Sequence, residues 1–414
     1  MKNKYDLVII GGGASGLSAA LSAYQNGIKD ILIIERNEYL GGVLNQCIHN
    51  GFGLEYFKEE LSGPTYASRF IKQIEENNTE YVLNSDVLEI TKDKKIYFSN
   101  TDGYHEVEAK AIICSTGCYE RNRGAINIDG SRPSGVMTAG TAQKYLNNYG
   151  YMVGKKAFIL GSGDIGLIMA RRLTLSGAKV LGVAEIMPYS NGLNRNIVQC
   201  LNDFNIPLYL SHTVKKVIGK EKIEKIILAQ VNDKFEFIEG TEKEFDCDVL
   251  LLSVGLVPSN KLLEDISVTM HPRTRGPVVN QYYETNIEGI FACGNNLHVH
   301  DLVDYVTLEA FDAGKYAARY IKEGLNRNFE IETKNGNYLN YLVPSKLKIT
   351  DDITSLKFRV SKPLKNTKLI IKNNDKIIKT LRRDYLLPSL MEVIKINTKD
   401  LEPGTLELEV ELND

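Results

Sequence analysis

The stretch that decides the fold is Asp6-Leu7-Val8-Ile9-Ile10-Gly11-Gly12-Gly13-Ala14-Ser15-Gly16-Leu17, with Ile31-Leu32-Ile33-Ile34-Glu35 following it. An unbroken apolar run ends in three glycines, a helical pattern begins at once, and a second apolar run ends in an acid. Such runs read as parallel strands covered on both faces, and the glycines read as the turn between strand and helix. The helix is expected over residues 17–26, stopped by Gly27, and the second strand over 31–34.

The plan repeats. Residues 156–160 are apolar after Lys156, and Gly161-Ser162-Gly163-Asp164-Ile165-Gly166 forms the turn. A helix is expected over 167–176, stopped by Gly177, and a strand over 179–184 leads to Glu185. Gly11 to Glu35 spans 24 positions and Gly161 to Glu185 spans 24. One glycine fingerprint is a moderate signal; two with equal spacing in the strand–turn–helix context are a strong one.

These turns have a chemical use. Gly11 permits the tight turn, Gly13 lets a pyrophosphate approach the backbone, and Gly16 lets the helix pack on the strand. The helix start at Ala14 and Ser15 presents N–H groups and a partial positive charge. Glu35, with Arg36 beside it, stands where ribose hydroxyls would be bound. Gly161, Gly163, Asp164, Gly166 and Glu185 repeat the arrangement. A carboxylate at 185 repels a 2′-phosphate, and Ile186-Met187-Pro188 offers no arginine to receive one, so NAD(H) is favoured over NADP(H) at the second turn.

The rest of the chain supports an α/β protein with an appended β layer. Runs at residues 111–114 and 249–252 lead to Gly117 and Gly255; residues 290–293 lead to Gly294 and Asn295. Small antiparallel sheets are expected within 81–107 and 209–245, a long amphipathic helix over 306–323, and five to seven short strands in a small sandwich over 340–414. The expected domains are 1–120 with 257–330, an inserted domain at 121–256, and a β domain at 336–414. Length 414 and 43% hydrophobic residues fit several globular cores. A net charge of −2 argues against nucleic-acid binding. No 18-residue apolar run exists and the N-terminus reads directly as a strand, so neither a spanning helix nor a leader is expected, and the cytoplasm is the expected location.

Together these motifs resemble the two-dinucleotide-binding-domain flavoproteins, the pyridine nucleotide–disulfide oxidoreductase superfamily. The resemblance covers about residues 4–325 and adds Gly41-Gly42, Ser115-Thr116-Gly117, Gly255-Leu256-Val257-Pro258 and Gly294-Asn295 to the two fingerprints. It implies FAD at the first turn, with Gly42, Thr116, Gly117, Gly294 and Asn295 joining its site. It implies a nicotinamide cofactor at the second, with Gly255 nearby. Asn295 stands where the superfamily usually has Asp, which lowers the local charge by one. Leu44-Asn45-Gln46-Cys47-Ile48-His49-Asn50-Gly51-Phe52-Gly53, the segment 161–172 and the segment 297–304 resemble a finer group. This is the FAD/NAD-binding subunit accompanying anaerobic-type glycerol-3-phosphate dehydrogenase, with the α-type subunits of opine and sarcosine oxidase and hydrogen cyanide synthase. That resemblance implies a second flavoprotein subunit as partner, with any membrane association passing through it.

The cysteines and histidines narrow the chemistry. A dithiol mechanism needs two close cysteines, yet the chain has no Cys-x-x-Cys, and Cys114 and Cys118 are too far apart. Cys47 alone reads either as a packed side chain or as a single redox thiol. Cys47, His49, His298 and His300 are the candidate catalytic residues. His298 and His300 precede the long helix, and a histidine or helix start there would stabilise negative charge on a reduced flavin. Metal binding by this His-x-His is not expected, since no further ligand stands near it in sequence. The leading expectation is hydride transfer between NAD(H) and FAD in an electron-transfer subunit. The alternatives are a structural FAD subunit, or a single-cysteine NADH oxidase or disulfide reductase using Cys47.

Overall fold

A computed structural model describes residues 1–412. The chain divides into two compact units, Met1–Cys118 with Pro258–Asp414, and Tyr119–Val257.

In the first unit, the strand Lys4–Ile10 lies parallel between Ile31–Ile34 and the end of Gly103–Cys114, in the register Leu7 to Ile31 and Leu7 to Ala111. Ile290–Ala292 adds a further parallel partner on Gly103–Cys114. The start of that long strand instead pairs antiparallel with Lys95–Asn100 and, beyond it, Asp86–Ile90. Helix Ala14–Gln25 packs on helix Val303–Glu323. A Cβ on Gly314 would lie 2.3 Å from the Ala19 carbonyl oxygen, so only glycine allows the helices to approach this closely. Ser22 Oγ donates to the Phe311 carbonyl across the contact at 2.6 Å.

The second unit repeats the first. Lys156–Leu160 lies parallel between Lys179–Glu185 and Val249–Leu252, and Leu208–Leu210 and Val136–Thr138 extend the sheet at its two ends. Helix Asp164–Leu175 follows the glycine turn. His212–Gly219, Ile223–Gln230 and Lys243–Asp246 form the expected antiparallel sheet. Helix starts at both turns lie about three residues earlier than the sequence pattern placed them, because the last glycine of each turn is already helical.

The appended layer is larger than expected. Eight strands run from Ile331 to Leu412 in two sheets, one of five strands and one of three. Leu356, Phe358, Leu369, Ile371, Leu406 and Leu408 lie among its buried apolar residues. This layer belongs to the first compact unit and does not stand apart as a third body. Strand Ile353–Val360 is central in the three-stranded sheet, between Leu339–Val343 and Glu392–Asn397. Its Leu356, Lys357 and Phe358 are all buried. The alternation seen in sequence therefore does not mark a solvent face there: both faces of this strand are covered.

Candidate functional site

At the first turn, Gly13 precedes helix Ala14–Gln25 in extended conformation, with no side-chain cap and no acid in the first turn. The first N–H groups of a helix have no partner within it, so this end is suited to an anion. Gly11 is left-handed at φ +103, and a Cβ on Gly16 would lie 1.8 Å from its carbonyl oxygen. Ser115 Oγ donates to Ile10 and Gly11 carbonyls at 2.9 Å each, tying the turn to the next strand. Glu35 is buried and accepts from Gly12 N at 2.7 Å, Asn37 N at 2.8 Å and Asn37 Nδ2 at 2.6 Å. Of about four lone-pair positions on a carboxylate, one remains for a ribose hydroxyl. Arg36 is exposed beside it.

Gly41 N donates to the Gly12 carbonyl at 2.8 Å, and a Cβ on Gly42 would lie 3.0 Å from Gly13 Cα. A Cβ on Gly13 would itself meet nothing closer than Gly42 Cα at 3.9 Å. The uncapped helix start, with no side chain on Gly13 or Gly42 beside it, fits the pyrophosphate of FAD. Thr116 Oγ1 donates to the Ser259 carbonyl at 2.6 Å, and Gly117 is left-handed at φ +68.

The second turn has the same frame with different occupants. Glu185 is buried and accepts from Ser162 N at 3.0 Å, Ser162 Oγ at 2.6 Å and Met187 N at 3.0 Å. Gly163 precedes the helix without a side-chain cap, but Asp164 stands in its first turn. Asp164 Oδ1 accepts from Leu193 N at 2.8 Å and Asn196 Nδ2 at 2.6 Å, and Asn191 N donates to Ser162 Oγ at 2.9 Å. Gly166 N donates to Ser253 Oγ at 3.1 Å, and Gly255 is left-handed at φ +102. This frame fits a nicotinamide dinucleotide, with Asn191, Leu193 and, from the first turn of helix Asn194–Cys200, Asn196 fastened to it.

Gly294 and Asn295 open onto a buried charge cluster that sequence reasoning missed. Glu309, from the long helix, accepts from Gly294 N at 2.7 Å, His298 Nε2 at 2.8 Å and Lys357 Nζ at 2.6 Å. Lys357 comes from the appended layer and also donates to Tyr283 Oη at 2.7 Å. Tyr283 has φ +61, a backbone conformation of order 1–3 kcal/mol above the ordinary for a bulky residue, and the surroundings hold it there. His298 accepts at Nδ1 from Tyr341 Oη at 3.2 Å, the tautomer its Nε2 bond to a carboxylate requires. Burial pushes its pKa down to about 4, against the pull of Glu309, so the ring is neutral near pH 7. Burial raises the Glu309 carboxyl, but the Lys357 ammonium and the imidazoles outweigh it and hold the carboxyl well below the usual range. His300 N donates to Asn295 Oδ1 at 3.0 Å, and its buried Nε2 lies 3.5 Å from Glu309.

Ligand atoms of His298, His300 and Glu309 lie within 4.8 Å of one another, the spacing of a metal site. The Lys357 ammonium lies 2.6 Å from the shared carboxylate oxygen and would compete with a divalent ion for it. His298 and His300 are thus enclosed beneath the turn, with side chains 1% and 0% exposed. Glu309 had a signal in the sequence, being an acid on the apolar stripe of Val306, Ala310 and Ala313. Lys357 had none, because its strand reads as ordinary alternation.

Cys47 and His49 stand in the segment after Gly42, both half-buried. Cys47 follows the short turn Gly42–Gln46, its thiol donates to the Val43 carbonyl at 3.3 Å, and burial pushes its pKa up to about 12. Cys114 is fully buried in its strand, and Cys118 accepts from Asn295 Nδ2 at 3.7 Å. No helix among the described residues is long and apolar enough to cross a membrane.

Two Rossmann-type turns, each with its carboxylate, and a returning glycine turn define a flavoprotein reductase architecture. The family model described as pyridine nucleotide-disulphide oxidoreductase matches residues 5–307, and the chain belongs to that family. It is an FAD-dependent, NAD(P)H-linked oxidoreductase. A ferredoxin–NADP reductase of Picrophilus torridus is 23% identical over 331 residues, 77% of this chain and 94% of the relative. A thioredoxin reductase of Listeria monocytogenes is 26% identical over 335 residues, 79% of this chain and 97% of the relative. The crystal structure of T. acidophilum thioredoxin reductase superposes with a TM-score of 0.62 at 21% identity, covering 77% of this chain and 99% of that one. These relatives are reductases. The finer resemblance to a glycerol-3-phosphate dehydrogenase subunit rests on the quoted sequence stretches alone.

Proposed function

We propose that this chain is an NAD(P)H-dependent reductase that passes electrons through FAD to a disulfide or another redox-active acceptor, with Cys47 as the thiol on that path. The observation that carries it is the pair of glycine turns, each with a buried carboxylate at the same offset and an uncapped helix start. The relatives, a thioredoxin reductase and a ferredoxin–NADP reductase, support an acceptor of this class. When bound, FAD supplies hydride and electron-transfer chemistry. The chain's part is to seat the two dinucleotides and to place Cys47 in the segment beside the first turn. Within that reading NAD(H) is the preferred nucleotide, supported by the Glu185 carboxylate at the ribose position.

A second reading has a specific observation in its favour. Thiol–disulfide exchange needs thiolate, and burial of Cys47 opposes it. That favours direct electron exit from the flavin to a partner, as in an electron-transfer subunit of a dehydrogenase complex such as that for glycerol 3-phosphate. A partnerless FAD-binding subunit is the limiting case. Anaerobic addition of NADH and then NADPH to the purified protein should bleach flavin absorbance, faster with NADH; an unbleached flavin ends both reductase readings. Cys47→Ser should then keep that bleaching and lose disulfide turnover. Full disulfide turnover in the variant would remove Cys47 from the path and leave direct exit.

A further inference from the structure

The family match ends at residue 307, yet two side chains that shape the Gly294–Asn295 turn lie beyond it. Glu309 binds Gly294 N directly, and Lys357 binds Glu309. Lys357 is carried by the central strand of the three-stranded sheet. Two positions on, Arg359 donates to the Val299 carbonyl at 3.1 Å and to Asp301 Oδ1 at 2.9 Å. Tyr341, on the neighbouring strand, meets His298. Met391 N donates to the same Asp301 oxygen at 3.2 Å. The appended layer therefore grips the segment 294–301 at several points, all within one compact unit.

We infer that Lys357 is a positioning residue of the FAD site: its ammonium anchors the Glu309 carboxylate that holds the Gly294–Asn295 turn, so the appended layer sets the geometry and charge of that turn. The inference rests on the reading that this turn is part of the FAD site. Glu309 is fully buried, and a buried charge must be paired or it drives rearrangement. Gly294 N and His298 supply neutral donors; among the described residues, Lys357 supplies the only full positive charge bonded to this carboxylate. Removing it leaves an uncompensated anion against the backbone of the turn. The turn then moves, or the carboxyl takes up a proton and no longer accepts from both sides equally. Either change alters what Asn295 presents, since Asn295 Oδ1 is held by His300 N from the same segment.

The test compares full-length wild type, Lys357→Met, the double variant Lys357→Met with Glu309→Gln, and Lys368→Met, which removes an exposed pair with Glu411 in the same layer. The probes are FAD affinity, by quenching of flavin fluorescence on binding, and the flavin midpoint potential. Lys357→Met should weaken FAD binding at least tenfold and shift the potential. The double variant, with no charge left to compensate, should recover affinity to within about threefold of wild type, and Lys368→Met should match wild type. A Lys357→Met protein with wild-type affinity and potential overturns the inference. So does a Lys357→Met protein that fails to fold and is not rescued by Glu309→Gln, since Lys357 is then a packing residue only. A wild-type protein that holds no FAD overturns the underlying reading as well, and that result is separate from the other two.

Discussion

The two glycine turns have the same spacing and the same hydrogen-bond frame, but they leave their helix ends in different conditions. At the first, the helix starts with Ala14 and Ser15, and the neighbouring Gly13 and Gly42 pack closely on each other. At the second, Asp164 stands at the helix start, Ser162 uses its hydroxyl on Glu185, and Ser253 takes up Gly166 N. The first is an anion site left open by its own residues. The second has a negative charge in its first helical turn, with Asn191, Leu193 and Asn196 fastened beside it. The lesson is that equal fingerprints do not imply equal affinities. The expected pattern is FAD held as a resident group and a nicotinamide dinucleotide that comes and goes.

The largest test of that contrast is a methyl group. In Gly16→Ala the new carbon meets a backbone oxygen at 1.8 Å, which cannot give way, and the purified protein should lack flavin absorbance. In Gly166→Ala the nearest atoms are Ser253 Cβ at 2.7 Å and Gly161 O at 2.8 Å. That protein should stay yellow and show only a raised KM for the nucleotide. Loss of FAD in both would erase the distinction.

Acid should separate the units next. His298 has its pKa depressed from 6.5 to about 4, so its stabilisation is complete above about pH 6.5 and is lost as pH falls towards 4. Over that window the loss is roughly 3 kcal/mol. The unit Tyr119–Val257 contains only His212, which is not fully buried. Hydrogen exchange between pH 6.5 and 4.5 should show protection falling first in the unit that carries His298, and His298→Gln should flatten that trend. Equal loss in both units would count against it.

Smaller effects concern the second turn alone. Glu185→Gln removes the charge opposed to a 2′-phosphate and should shift the NADPH-to-NADH preference towards NADPH by about tenfold. An unchanged ratio of kcat/KM values would mean that Glu185 does not read the ribose. Asp164→Asn keeps an oxygen for Leu193 N and removes the charge at the helix start. It should tighten nucleotide binding by about two- to fivefold, seen as a lower KM at unchanged kcat.

The doubly wound units, their two turns and the later glycine positions were legible because each depends on local chemistry: apolar runs, glycines at fixed offsets and an acid at a strand end. The helix starts were misjudged by about one turn because sequence periodicity says nothing about Gly16 and Gly166 being already helical. The appended layer was legible as β structure but not in strand number, since short strands such as Lys346–Leu347 are set by pairing with distant segments. His298 and His300 were legible as residues near the returning turn, but their enclosure was not. Whether an imidazole faces a ligand or a buried carboxylate depends on what packs above it.

The sequence by itself determined that two dinucleotide turns exist, that they share one plan, and that the chain carries no Cys-x-x-Cys. Those facts are carried by residues within about 30 positions of one another. Only the tertiary structure decided how the returning turn is held, because Gly294, Glu309 and Lys357 come from a loop, a helix and a separate strand layer. A buried charge finds its partner in space, and nothing in the spacing of Glu309 and Lys357 along the chain requires them to meet.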